Sequence, residues 1–186
     1  MKNKKPIICG IVAIGPDNII GCGGTMPWHS KQDLFFFKTM TMGSPCIFGK
    51  TTYENLSIKP LPGRLNVVCS RSYKIEKNAD VLHVPSLEEG IKQCGNVNRV
   101  FVCGGAVLYD YALEKDLIDV MYVTQIYLFD ETLKKQMAIN KKTNTYFPYN
   151  FDNSKWVKYA VPFDENLLPK ENPNVKAFFY KYVRQR

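Results

Sequence analysis

The sequence lacks the features that would assign it to several large classes of protein. No apolar stretch approaches the roughly 18 residues that a membrane-spanning helix needs, and residues 16–18 (Pro-Asp-Asn) interrupt the N-terminal apolar run where a secretory signal should continue. Internal repeats and low-complexity linkers are absent, so we expect a single domain over residues 1–186. Neither the G-x-G-x-x-G fingerprint nor the P-loop pattern occurs, which argues against an ordinary Rossmann or P-loop protein.

Paired cysteine motifs are also missing, although the chain has 6 cysteines. None stands in a C-x-x-C spacing, and most lie in or beside apolar runs, where a free thiol behaves as a small hydrophobic group. A chain of 186 residues can bury a sizeable core without disulfides. We therefore predict reduced cysteines and a reducing, cytoplasmic location.

The chain has an excess of positive charge, but its basic residues are scattered along the sequence. A formal net charge of +8 favours anionic partners, which include nucleic acids and small molecules with phosphates or carboxylates. The basic residues cluster only briefly, at residues 2–5, 134–135 and 141–142. The charge alone therefore does not select a function.

Short β-rich runs alternate with helical segments along most of the chain. This alternation predicts an α/β domain with a mostly parallel sheet of about eight strands and helices on both faces. Two long runs at the end, with no helix between them, predict an antiparallel C-terminal edge. We expect strands at 7–14, 45–49, 65–69, 81–84, 100–103, 120–127, 156–161 and 177–183, and helices at 31–42, 50–55 and 106–113 and after the capping box 86–89. We expect a glycine-rich loop at 15–30 and a surface excursion at 130–145.

One carboxylate, Asp33, stands among apolar and aromatic residues. If Ser30 caps a helix that begins at Lys31, Phe36 and Phe37 follow Asp33 by three and four residues and share its face. The acid would then face an aromatic pocket, where desolvation raises its pKa. The alternative is an aspartate in the first turn of a helix, facing water and stabilised by the helix dipole.

Three polar turns follow predicted strands. They are Gly49-Lys50-Thr51-Thr52, Cys69-Ser70-Arg71-Ser72 and Cys103-Gly104-Gly105-Ala106. Glycines let a backbone approach a ligand closely, and helix N-terminal amides bind phosphate. Each turn alone could be an ordinary strand-to-helix connection, but open α/β sheets bind ligands at this edge.

Taken together, these motifs resemble the dihydrofolate reductase family. The match runs in the family's order from residue 7 to the C-terminus, and Asp33, rather than Glu, resembles bacterial and some protist members. No thymidylate synthase half is expected. The residues that carry the resemblance are Ile20-Gly21, Met26-Pro27-Trp28, Asp33, Phe37-Lys38, Gly49 to Glu54, Leu61 to Arg64, Cys103 to Tyr109, Thr124-Gln125-Ile126 and Tyr146-Phe147-Pro148.

The resemblance implies NADPH-dependent reduction of 7,8-dihydrofolate to tetrahydrofolate. Asp33 would pair with N3 and the 2-amino group of the pterin, while water protonates N5 and NADPH delivers hydride to C6. Thr124 would orient that carboxylate, Trp28 would hold an ordered water, and Met26 would lie in a mobile loop. Further residues implied to bind substrate are Leu34, Phe37, Leu56, Leu61 and Arg64, the last as a clamp on the glutamate-tail carboxylate.

The resemblance also implies an NADPH site and no metal. The Gly104–Gly105 peptide is cis in the family, these glycines and Thr52 would hold the pyrophosphate, and Lys50 or Arg71 would contact the 2′-phosphate. Val107 replaces a basic residue of some relatives. The implied cofactor residues are Ala13, Ile20, Lys50, Thr52, Ser70, Arg71, Cys103, Gly104, Gly105, Ala106, Val107, Leu108 and Tyr109.

Two alternatives to this function remain open. A pyrimidine reductase of riboflavin biosynthesis shares this fold, although Arg64 and the pair Trp28 and Asp33 favour folate. A non-catalytic nucleic-acid-binding domain would interleave basic residues with exposed aromatics in one patch, whereas the aromatic runs here alternate like core strands. We therefore expect no nucleic-acid partner. We also expect a monomer with no membrane partner.

The segment 128–145 is longer than in compact bacterial members of the family, and Asn144 stands near the position where many members carry an Asp.

Overall fold

A computed structural model of the chain describes residues 5–72, 74, 76–78, 80–139, 143–164 and 166–185. The chain divides into two compact units. Unit 1 comprises Met1–Ile11 and Thr41–Val120, and unit 2 comprises Val12–Met40 and Met121–Arg186. The expectation of a single domain stays a prediction.

The strands and helices follow the predicted alternation. The strands are β1 (Ile7–Ile14), β2 (Ile19–Cys22), β3 (Cys46–Gly49), β4 (Asn66–Cys69), β5 (Glu76–Asn78), β6 (Val81–Val84), β7 (Arg99–Val102), β8 (Val120–Leu128), β9 (Asn144–Tyr146), β10 (Trp156–Ala160) and β11 (Val175–Arg184). The helices are α1 (Lys31–Thr41), α2 (Lys50–Glu54), α3 (Leu87–Gln93), α4 (Ala106–Glu114) and α5 (Glu131–Ile139). A 3-10 turn covers Pro16–Asn18.

In unit 1 the sheet order is β1-β7-β3-β4-β6-β5. The pairs β1–β7, β3–β7, β3–β4 and β4–β6 are parallel, and β5 adds an antiparallel edge. The inner strands are almost continuously apolar because both faces are covered, and Ile47, Val67 and Phe101 are fully buried. Strands β3, β4 and β7 place their carboxyl ends at the turns 49–52, 69–72 and 103–106.

In unit 2 the sheet order is β10-β11-β8-β1, and β1 contributes to both units. Strands β10 and β11 pair antiparallel, as the C-terminal pattern predicted. One hydrophobic cluster joins Trp28 with residues of β2, β8, α5 and β11: Ile19, Ile126, Leu128, Met137 and Val175. The predicted fold, a mostly parallel α/β sheet with antiparallel C-terminal strands and surrounding helices, is confirmed, and the described residues contribute nine strands to it.

Two local predictions were wrong. The stretch 15–30 is not all loop, because Ile19–Cys22 forms β2 and pairs with β9 in a separate two-stranded sheet. The stretch 130–145 is not only a surface excursion, because it contains α5, whose Met137 is 4% exposed. Leu133 and Met137 are four residues apart and share the helix face that packs on the unit 2 cluster.

The cysteines have the free state that the sequence predicted. The cysteines at 9, 22, 46, 69, 94 and 103 are all unpaired. No helix among the described residues is long and apolar enough to cross a membrane. Residues 2–4 and 141–142 of the basic clusters lie outside the described residues.

Candidate active site

Asp33 lies in the first turn of α1 and is only 8% exposed. Ser30 precedes the helix, and its side-chain oxygen accepts a hydrogen bond from the Asp33 amide at 3.0 Å. This is the N-cap interaction that the sequence predicted. The alternative of a first-turn aspartate facing water is wrong, because the carboxyl is buried within unit 2.

Burial raises the pKa of the Asp33 carboxyl from 3.8 to about 6. The Thr124 hydroxyl opposes this shift, and the negative charge of Glu171 adds to it. The carboxyl therefore changes its charge within about two pH units of neutrality, where proton chemistry is most effective.

Among the buried polar atoms of unit 2 that have no hydrogen-bond partner of standard geometry in the described part of the chain are Oγ1 of Thr124 and Nε1 of Trp28. The Thr124 hydroxyl is close enough to lower the pKa of Asp33, but its geometry falls outside that of a standard hydrogen bond. Buried polar groups are normally paired, so such atoms mark positions suited to a ligand or a bound water.

The other unit 2 site candidates differ in exposure. Phe36 is fully buried and stacks on Phe179 with ring centroids 4.4 Å apart, which fixes α1 against β11. The side chains of Met26 and Leu34 are 46% and 45% exposed. The half-buried candidates are Ala13, Ile20 and Phe37.

At the glycine turn after β7 in unit 1 (residues 103–106), the backbone lies close to the backbone of the turn after β3. The Gly104–Gly105 peptide is cis, as the resemblance implied, and Gly104 has φ +112°. The Gly49 amide donates to the Gly104 carbonyl at 2.6 Å, which joins the turns after β3 and β7. A Cβ at Gly105 would lie 2.8 Å from Oγ1 of Thr52, so the turn leaves no room for a side chain.

Tyr109 supports this turn from α4. Its hydroxyl donates to the Ile11 carbonyl at 2.5 Å, and the ring is 3% exposed. A Cβ at Gly104 would meet the Tyr109 hydroxyl at 3.3 Å. Gly105 is the N-cap of α4 and offers no side-chain cap, so the first amides of this helix are available to an anion.

The remaining cofactor candidates occupy the predicted turns of unit 1. Lys50 begins α2, and its Nζ lies 3.9 Å from Oε1 of Glu54. Ser70 and the exposed Arg71 follow β4. Ser70 hydrogen-bonds to Ser72 at 2.9 Å. Val107 is 85% exposed on α4, Cys103 is buried, and Ala106 and Leu108 are half-buried.

Arg64 is held in a defined orientation. Its Nη1 donates to Oγ1 of the buried Thr41 at 3.0 Å, and its Nε donates to the Pro62 carbonyl at 3.1 Å. Such contacts pre-orient a planar guanidinium for a carboxylate. Leu56 and Leu61, the other substrate candidates of unit 1, are half-buried.

Sequence reasoning missed two residues that support the site. Asn66, fully buried, donates to the carbonyls of Leu61 (3.0 Å) and Arg64 (2.9 Å) and accepts from the Leu61 amide, so it shapes the loop that carries both candidates. An asparagine at the start of an apolar strand was the available signal. Glu171 contacts the N-terminus of α1 from 140 residues away, and no local pattern indicates this.

The described residues contain no group of three or more metal-ligating side chains that could hold a metal ion. A parallel sheet with glycine turns at its strand ends is typical of α/β proteins that bind nucleotides, and a buried acid of raised pKa is typical of an enzyme's functional site. Within that class, the chain belongs to the dihydrofolate reductase family, whose family model matches residues 7–184. The family predicted from the sequence motifs is confirmed.

Individual relatives agree with the family assignment. Dihydrofolate reductase of Haemophilus influenzae is 32% identical, over 94% of this chain and 97% of the relative. Dihydrofolate reductase of Neisseria gonorrhoeae is 41% identical over 55% of this chain, and the match spans 64% of that protein's length. A solved structure of Enterococcus faecalis dihydrofolate reductase complexed with NADP(H) and RAB-propyl matches with a TM-score of 0.71, at 26% identity and 98% coverage of each chain.

Proposed function

We propose that this protein reduces 7,8-dihydrofolate to 5,6,7,8-tetrahydrofolate with NADPH. The observation that carries the proposal is the buried Asp33 carboxyl, whose pKa is raised to about 6. In its ionised form this carboxyl can accept two parallel hydrogen bonds from N3 and the 2-amino group of a pterin. Polarising that edge favours protonation of the substrate at N5, and water supplies the proton.

Two neighbouring groups support this assignment. The Thr124 hydroxyl lowers the pKa of Asp33 and so favours the ionised form that binds the pterin. The unpaired Nε1 of Trp28 is a donor suited to an ordered water. For the substrate tail, Arg64, already held by Thr41, offers a planar guanidinium that matches a carboxylate.

The residues of unit 1 fit a dinucleotide phosphate. The uncapped N-terminus of α4 offers backbone amides, and Gly105 packs closely against the Thr52 hydroxyl beside it. Lys50 and Arg71 are the basic side chains proposed to contact the 2′-phosphate. When bound, NADPH supplies the hydride, and the residues of this chain hold it and exclude water.

The test is NADPH oxidation with dihydrofolate by the wild type and by Asp33→Asn. The variant should lose about 10³-fold in rate at neutral pH and recover partly in acid, because an amide cannot favour protonation of bound substrate. Asp110→Asn, an exposed change on α4, is the matched control and should keep wild-type activity. Unchanged activity of Asp33→Asn, or reduction of a ribosylated pyrimidine in place of dihydrofolate, would contradict the proposal.

We further propose a monomeric cytoplasmic enzyme that folds as one domain. Burial raises the pKa of Cys9, Cys69 and Cys94 to about 12, so these thiols stay protonated and unreactive. Light scattering after gel filtration tests the oligomeric state. Coincident unfolding transitions by different probes test the single domain.

A further inference from the structure

The N-terminus of α1 is capped by a residue that lies far away in the sequence. The Glu171 carboxylate accepts hydrogen bonds from the Lys31 amide at 3.1 Å and the Gln32 amide at 3.2 Å. These amides belong to the first turn of the helix, whose donors have no partner within the helix. A side-chain amide of Gln32 also donates to the Pro169 carbonyl at 3.3 Å, so the segment before β11 is attached to α1 at two points.

Ser30 links Glu171 to the active-site acid. Its hydroxyl donates to the Glu171 carboxylate while accepting from the Asp33 amide at 3.0 Å. Ser30 is 3% exposed, so water competes little for either bond. A displacement of Glu171 would therefore be transmitted through one hydroxyl group to the backbone of Asp33.

The same contacts bear on the charge of Asp33. Although burial raises the pKa of Glu171, hydrogen bonds from Ser30 and three backbone amides outweigh burial and lower it, so Glu171 is ionised at neutral pH. Its negative charge raises the pKa of Asp33. It also occupies the helix N-terminal amides, which would otherwise stabilise an ionised Asp33 in the first turn. The charged or titratable side chains that line the cavity beside Glu171 are His29, Lys31 and Lys170.

We propose that Glu171 is a positioning residue, which holds the first turn of α1 and thereby the Asp33 carboxyl in the orientation that the pterin requires. This role rests on the proposed function, because it is defined toward the substrate of that reaction. Glu171 acts through Ser30 and the helix backbone.

The test compares Glu171→Gln with Glu131→Gln. The control removes the same charge from an exposed residue of α5 that pairs with Lys134 at 2.8 Å. A 13C NMR titration of the Asp33 carboxyl, which needs no substrate, should show its pKa falling below the wild-type value in Glu171→Gln and unchanged in Glu131→Gln. Steady-state kinetics should show kcat/KM for dihydrofolate reduced about tenfold in Glu171→Gln, chiefly through KM, with the KM for NADPH unchanged.

Glu171→Asp keeps the negative charge on a shorter side chain, and it provides the test if Glu171→Gln does not fold. Here the pKa of Asp33 should stay near its wild-type value while the KM for dihydrofolate rises. If Glu171→Gln changes neither the Asp33 titration nor the KM, Glu171 has no positioning role. Failure of the wild type to reduce dihydrofolate would instead overturn the proposed function, which keeps the two hypotheses distinguishable.

Discussion

The surroundings of Asp33 in unit 2 (the acid site) and the turn at residues 103–106 in unit 1 (the glycine turn) are built in opposite ways. Around Asp33 the structure depends on side chains, because a hydroxyl and a second carboxylate set the position and charge of one buried group. Around Gly104 and Gly105 it depends on the lack of side chains, because the side chains of Tyr109 and Thr52 lie close to where a Cβ would be added. The first arrangement is governed by electrostatics, and the second by steric fit.

The two regions should therefore respond differently to substitution. A change of charge in the acid site alters chemistry and pH dependence while leaving the packing nearly intact. An added methyl group in the glycine turn alters the packing and the proposed cofactor site while leaving the charge unchanged.

After Asp33→Asn, the largest effect is expected from Gly105→Ala. Its φ of −86° suits any residue, so the contact between the new Cβ and Oγ1 of Thr52 at 2.8 Å is the source of the effect. Overpacking of this kind costs about 1–3 kcal/mol, and the turn must shift to relieve it. If that cost falls on the NADPH-bound state, NADPH binding is weakened up to about 100-fold. Fluorescence titration of NADPH binding measures this.

A matched control and a rescue sharpen that test. Gly49→Ala adds the same methyl group beside the same turn, but its Cβ would meet Gly104 and Gly105 only at an ordinary 3.6 Å. It should weaken NADPH binding much less. In a Thr52→Ala background, Gly105→Ala should cost less than in the wild type, and an equal cost in both backgrounds would rule out the Thr52 contact as the cause.

A smaller effect is expected from Thr124→Val in unit 2. The hydroxyl lowers the pKa of Asp33, so its removal should raise that pKa above about 6 and lower kcat/KM at neutral pH about tenfold. Thr132→Val, at an exposed position of α5, is the control. A pH profile of kcat/KM that is superimposable on the wild-type profile would contradict this role of Thr124.

Sequence reasoning succeeded where the signal is local. The α1 cap at Ser30 and the buried position of Asp33 each depend on one motif of a few residues. The cis glycine pair was implied by the family resemblance that such motifs carry. It failed for β2, because a strand of four residues that pairs with a distant strand of three carries almost no periodicity. The roles of Glu171 and Asn66 depend on tertiary contacts, which a single sequence does not contain.

The pKa of Asp33 also predicts how stability depends on pH. Because the folded state raises this pKa from 3.8 to about 6, ionisation of Asp33 destabilises the fold. The penalty is absent below about pH 4, grows as the pH rises to about 6, and reaches about 3 kcal/mol above that. Since an asparagine amide is itself partly unsatisfied when buried, the net gain in Asp33→Asn at pH 7 should be about 1–2 kcal/mol.

The most direct test of the central claim, that Asp33 is a buried acid kept for chemistry at the expense of stability, is the free energy of unfolding of Asp33→Asn and wild type in urea at pH 7 and pH 4. We expect a variant that is more stable than the wild type at pH 7, with that advantage lost at pH 4. Two results would contradict the claim. One is a variant that is less stable than the wild type at pH 7, and the other is a stability difference between variant and wild type that is the same at both pH values.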